Sequence, residues 1–295
     1  MTFIPRTRFA VFAALARTYT RPHRTASPDT QTVELAHWLL NKPVAERRAH
    51  LAALDDLTLL DVLVVMDMRT GSAYELWRDT PSGFAEDILG LPLTDAQRAV
   101  LDAAAGPDVR RVAARVPHPD NHQTAAALMA WTALVSGPRP YDDCPRVAVS
   151  FAQYRQTATS VWRCLARFID NASLPGKLDM SRWSWWADDL EGPQHVMAFA
   201  VWNTDPYAMG GLHNFVAVVA DADKIASPDM RATMNFLAEN VHGGSRIVAL
   251  GGTTDEPEEW FTGFEACDQV TAPADTSGDH SRWIRIGVLI DEAPV

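Results

Sequence analysis

The spacing of apolar positions changes character about halfway along the chain. From Gln31 to about Gly137, apolar residues recur at helical intervals between Pro and Gly punctuation, with hardly any alternating stretch, which predicts a succession of short helices. Leu35, Trp38 and Leu39 begin one. Pro43 stands where a first-turn proline belongs in the next, with Leu51 and Leu54 on its inner side. Leu57 to Met68 is nearly all apolar and predicts a buried central helix. Leu93, Thr94 and Asp95 open a further helix that Gly106 and Pro107 stop, and His122 to Val135 is the last.

Beyond the proline-rich segment Gly137 to Pro145, short apolar runs alternate with helical patterns. Strands are expected at Arg146 to Phe151, His195 to Trp202, Asn214 to Ala220, Arg246 to Leu250 and Trp283 to Ile290. Helices are expected over Tyr154 to Ile169, Pro228 to Val241 with Ser227 as N-cap, and Asp255 to about Glu265. The predicted class is therefore an α/β C-terminal half, a mixed sheet with flanking helices, preceded by an all-α helical N-terminal half. The division expected is a basic N-terminal arm (1–28), an all-helical domain (29–140) and an α/β domain (141–295).

Composition narrows the class without naming a function. At 295 residues, 47% apolar and 21% charged, the chain is long and apolar enough for a substantial core. No apolar run approaches the ~20 residues of a membrane span, so no integral membrane association is expected. Cys144, Cys164 and Cys267 are odd in number and contain no CxxC pair, so a disulfide framework is not indicated and a reducing, cytoplasmic setting is expected. Arg6 and Arg8 before Phe9 to Ala16 superficially resemble a signal peptide, but the run is short and Arg17 follows at once; an amphipathic helix is the expectation.

Charge is uneven. Residues 1–28 carry five arginines and no acid, whereas residues 140–295 carry 22 acids against 11 bases. The arm suits phosphate, an anionic surface or a partner's acidic face, and equally suits folding back onto its own acidic body. At a net charge of −11 the body repels nucleic acid, which leaves the arm as the one plausible contact with it.

The strand, helix, strand order over 214–250 predicts a crossover with parallel strands ending at one sheet edge. Ligands of open α/β sheets bind outside the carboxyl ends of the strands. That places Asp221 and Asp223 beside Gly251, Gly252, Thr253 and Thr254. Two carboxylates spaced this way suit Mg or Mn through oxygen ligands, for phosphoryl or nucleotidyl chemistry, and equally suit a solvated turn leading to the Ser227 cap. His195 joins the edge as acid, base or ligand if strands 195–202 and 214–220 form an antiparallel hairpin. The loop Gly251 to Thr254 invites a cofactor-phosphate cradle, yet Asp255, Glu256, Glu258 and Glu259 crowd the helix start that follows and oppose a bare anion.

Two weaker patterns remain. His118, Asp120 and His122 alternate as zinc ligands do, although Asp120 with Gln123 also reads as a helix cap. Trp183, Trp185 and Trp186 beside Arg182 suit base stacking or simple packing.

The strand and helix order of 195–290, with Pro228, Asp229, Met230 and Arg231 opening one helix and Gly263, Phe264 and Glu265 near the end of another, resembles the tail of the GNAT acyltransferases. That resemblance implies acyl transfer from CoA. The chain departs from the family after Arg231, where Ala232, Thr233, Met234 and Asn235 stand in place of a glycine-rich pyrophosphate loop.

With no specific catalytic motif and ten tryptophans, the leading expectation is a non-catalytic interaction or accessory protein with a protein partner. The alternative is a divalent-metal-dependent enzyme at Asp221, Asp223 and His195.

Overall fold

The strand Phe215–Ala220 is buried at all six positions, as is Arg246–Gly251. A strand buried on both sides needs cover on both faces of its sheet, the usual condition of parallel sheets. The computed structural model describes residues 7–23, 29–106, 109, 111–135, 147–186, 196–201, 215–228, 231–232, 245–252, 261 and 284–286.

Among these, eight helices run α1 (Arg8–His23), α2 (Thr30–Leu40), α3 (Val44–Ala53), α4 (Asp56–Thr70), α5 (Pro81–Asp87), α6 (Asp95–Ala105), α7 (Asp120–Val135) and α8 (Arg155–Ala172). The strands are β1 (Arg111–Arg115), β2 (Val147–Phe151), β3 (Lys177–Asp179), β4 (Ser184–Trp186), β5 (Val196–Val201), β6 (Phe215–Ala220), β7 (Arg246–Gly251) and β8 (Ile284–Ile286). They form one mixed sheet in the order β3-β4-β5-β2-β6-β7-β1-β8. From β5 to β8 every neighbouring pair is parallel, and the two short edge strands are antiparallel. Helices dominate the N-terminal part and the C-terminal half is α/β, as the apolar pattern predicted.

The two sheet faces sort by residue parity. Val216, Val218, Ala220, Val248, Leu250, Val112 and Ala114 share one core with the helices; Phe215, Ala217, Val219, Ile247, Ala249, Phe151 and Phe261 form a second on the other face. Helix α7 lies across β2, β5, β6 and β7 and beneath α5, α6 and α8. Thirteen of its residues are buried, so α7, rather than the expected Leu57 to Met68, is the central helix. The latter is α4, whose Leu59 and Val62 to Met66 pack inward against α1 and α2. Trp131 of α7 donates its Nε1–H to the Trp77 carbonyl at 2.9 Å and so ties the sheet layer to the helical layer.

Local signals explain several ends. Thr94 and Gln97 form a reciprocal capping box at the start of α6. Asp55 caps α4 by accepting from the Leu57 and Thr58 amides, and Gly71 ends it in the left-handed conformation. The arm is in part a docked helix: Ala10, Ala13 and Ala16 are buried in the main core, and Arg8 pairs with Asp56 at 2.8 Å and donates to the Leu54 carbonyl. No described helix is long and apolar enough to cross a membrane.

Three expectations change. Strand β1 lies inside the stretch read as all-helical; five residues, of which only Val112, Ala113 and Ala114 are buried, are too short for a period-2 pattern to register. The short α5, whose buried face includes Ser82 and Gly83, was likewise not foreseen. The hairpin of β5 and β6 on which the placement of His195 was conditional does not form: both strands pair in parallel with β2, which lies between them. Segment 137–145, most of the helix expected over 228–241 and most of that over 255–265 lie outside the described residues.

Candidate functional site

Strands β1, β2, β6 and β7 run parallel, so their carboxyl ends share one edge and the segments that follow them meet there. After β6 the chain turns at once. Asp221 has φ +50°, a left-handed conformation that Asp tolerates better than most residues, and a 3-10 turn over Ala222–Lys224 follows. This turn brings the Asp221 side chain inward, with 6% of the residue exposed.

Its carboxylate is met from two helix starts. Asn121 Nδ2, in the first turn of α7, donates to Oδ1 at 2.8 Å. The Thr157 hydroxyl, in the first turn of α8, donates to Oδ2 at 2.6 Å. His122 Nε2 lies 3.2 Å from Oδ1, close enough for ion pairing but not aligned for a hydrogen bond. Lys224 Nζ is 3.5 Å from Oδ2. Burial pushes the Asp221 carboxyl upward, but the His122 imidazole and the Thr157 and Asn121 donors outweigh it and hold it well below the usual carboxylate range.

Asp223 is engaged separately. It is 2% exposed, and its Oδ1 accepts the Gly252 amide at 2.7 Å while Oδ2 is buried without a hydrogen-bond partner among the described residues. Gly251 permits this approach: a Cβ there would stand 2.6 Å from the Phe261 ring and 3.2 Å from Asp223 Cβ.

Between α7, α8 and the β6 turn lies a cleft of about 290 Å³ lined by His118, His122, Tyr154, Gln156, Thr157, Ser160, Asp221 and Lys224. All eight side chains carry a polar group. The His118 and His122 rings meet edge to face at 4.7 Å. Helix α8 has no acid in its first turn, and Tyr154 at its N-cap makes no side-chain cap bond. Its positive end is therefore not neutralised by an acid of its own and faces the Asp221 carboxylate through Thr157. The junction from Val116 to Asn121 contains neither glycine nor lysine, so the G-x-x-x-x-G-K-[ST] cradle of P-loop proteins is absent there.

The fold thus brings Asp221 and Asp223 to the same edge as Gly251 and Gly252, but gives the two carboxylates different partners, and Asp223, Gly251 and Gly252 are not among the cleft's lining residues. Thr253, Thr254 and His195 lie outside the described residues. The condition that brought His195 to this edge, an antiparallel hairpin of β5 and β6, is not met, since both strands pair in parallel with β2. No described group of three or more His, Cys, Asp or Glu side chains is placed to hold a metal ion. The zinc reading of His118, Asp120 and His122 gives way to a helix start at Asp120 with His122 turned toward Asp221.

Sequence reasoning passed over Asn121, Thr157 and Lys224. Their signal was positional, a polar residue in the first turn after a buried strand, which becomes informative once the strands are known to be parallel.

Trp77, Trp131, Trp162 and Trp185 are fully buried and Trp183 is 5% exposed. Among the seven tryptophans in the described residues, five are therefore core packing, while Trp38 is exposed, which weakens that support for the interaction reading.

No protein-family model matches the chain, and no curated protein matches it in sequence. The fold is similar to the ATPase domain of the large terminase of Thermus phage P74-26, in a point-mutant form, at 12% identity and TM-score 0.47, covering 71% of this chain and 86% of that one. It is also similar to the large terminase of bacteriophage HK97 at 15% identity and TM-score 0.41, covering 69% of this chain and 41% of that one. Most of the residues that carried the acyltransferase resemblance, Asp229, Met230, Gly263, Phe264 and Glu265 among them, lie outside the described residues.

Proposed function

We propose that the cleft binds the phosphate end of a small phosphorylated ligand, a nucleoside phosphate in the first instance, and that chemistry on that ligand uses the Asp221 and His122 pair. The observation that carries this reading is the meeting of the acid-free first turn of α8 with Lys224 at one polar cleft. Helix N-termini present free amides and a partial positive charge, which favour bound phosphate. At about 290 Å³ the cleft sits at the small end of ligand pockets, a size suited to phosphate and sugar. Tyr154, 49% exposed at the rim, offers a ring on which a base stacks.

Asp221 held ionised beside the His122 imidazole is an arrangement suited to acid–base work, the carboxylate stabilising a protonated imidazole as it forms. Exposed His118, edge to face with His122, offers that ring a neighbour at the cleft mouth.

Calorimetric titration with nucleoside mono-, di- and triphosphates and with pyrophosphate tests the proposal. Saturable binding by one of these, weakened by changes lining the cleft such as Gln156→Ala and Ser160→Ala, is the expected result. Absence of saturable binding by all of them would refute it.

A further inference from the structure

Resting on the phosphate reading of the cleft, we infer that Gln153, outside the cleft's lining, is the positioning residue that holds the turn bearing Lys224 against the start of α8. The two walls leave neighbouring parallel strands. β2 ends at Phe151 and leads through Gln153 and Tyr154 into α8; β6 ends at Ala220 and leads through Asp221 into the turn Ala222–Lys224. Pairing of β2 with β6 fixes where these segments begin, not how close they stay beyond the sheet.

Gln153 closes that gap. Its Oε1 accepts the Ala226 amide at 2.6 Å and the Ser227 amide at 3.0 Å, so both lone pairs of one carbonyl oxygen are used. Two backbone donors at hydrogen-bond distance also identify the atom as oxygen rather than amide nitrogen. The amides are those that a helix start leaves open, since Arg231 donates to the Ser227 carbonyl at 3.0 Å in the turn that follows. Four residues beyond Gln153, Thr157 donates to Asp221 Oδ2 at 2.6 Å. The turn is therefore gripped at both ends by one segment, and Lys224 stands between the grips. Buried Ile225 anchors the turn in the second core, a cluster that contains no residue of α8. Lys224, with its side chain 45% exposed, meets the first turn of α8 at the cleft only while its backbone is kept there.

The test is calorimetric titration of pyrophosphate and of ATP into the full chain and into Gln153→Ala, Lys224→Ala and the double variant, with amide hydrogen exchange at Ala226 and Ser227 read by NMR. Gln153→Ala should speed exchange at both amides and weaken binding about three- to tenfold. Its thermal midpoint should stay within about 3 °C of the parent's, because Ala226 is exposed and its amide turns to water. Added to Lys224→Ala, the same change should weaken binding no further. A residue that served the fold alone would weaken binding by the same factor with or without the Lys224 side chain. Equal factors, unchanged affinity in either single variant, or unchanged exchange overturns the inference while the phosphate reading stands. No binding of either ligand by the parent chain overturns the phosphate reading and this inference with it.

Discussion

Asn121 and Asp221 stand 100 residues apart in the chain and meet through a buried 2.8 Å hydrogen bond. The contact joins the start of α7 to the end of β6, and Thr157 joins the start of α8 to the same carboxylate. Three segments that leave three different strands are thereby held around one ionised group, and the cleft is the space between them. Hydrogen bonds to a charged group are stronger than neutral ones, about 1.5–3 kcal/mol each, so the carboxylate organises the edge as well as charging it.

The first prediction concerns acid stability. Asp221 has a folded-state pKa held below its ordinary value of 3.8, so the folded state releases its proton more readily than the unfolded chain. Its contribution is complete above about pH 5 and is lost as pH falls through 3.8 toward the folded value. Asp221→Asn should therefore lower stability at neutral pH and flatten the dependence of the thermal midpoint on pH between about 5 and 2. Thermal unfolding of both proteins across that range checks it; parallel curves would contradict the assignment.

Thr157→Val removes one donor while keeping the shape of the side chain. Because the hydroxyl favours ionised Asp221, its loss should raise that pKa and move the acid limb of the stability curve to higher pH. The cost at neutral pH should be about 1–3 kcal/mol. Chemical denaturation at pH 7, together with NMR titration of the Asp221 carboxyl, reads both effects.

Gly251→Ala should destabilise more than Gly252→Ala. The added Cβ at 251 meets the fully buried Phe261 ring at 2.6 Å, whereas at 252 the nearest atom is Asp223 Oδ2 at 3.3 Å. Overpacking of a rigid core costs about 1–3 kcal/mol. Urea midpoints of the two variants, compared at equal slope, decide the order.

Trp131→Phe tests the junction between the helical layer and the sheet. The substitution removes one of the two donors to the Trp77 carbonyl, which keeps the Thr80 amide at 3.2 Å, and opens space beside a side chain 2% exposed. A loss of about 2–4 kcal/mol is expected from the two effects together. Its unfolding should remain a single transition, since Ala10, Leu63 and Val216 belong to one continuous core; a separate early transition of the helical part would refute that unity.

Apolar periodicity alone determined most of the elements here. Leu35, Trp38 and Leu39 starting one helix, Leu93, Thr94 and Asp95 opening another, and the run Asn214 to Ala220 are local facts, since backbone hydrogen bonding and burial of one stripe or face depend on neighbours a few residues away. The position of Asp221 at a sheet edge beside Gly251 and Gly252 also followed from the strand, helix, strand order. Pairing was not legible, because a strand buried on both faces, such as β6, carries no alternation to say which neighbour it takes. The structure alone decided that β2 inserts between β5 and β6, and with that the removal of the hairpin that linked His195 to the edge. It also decided that Asn121, Thr157 and Lys224, ordinary polar residues in sequence, surround Asp221. Such convergence is set by which strands are parallel, a long-range choice made by packing α7 and α8 onto one face, and no local pattern records it.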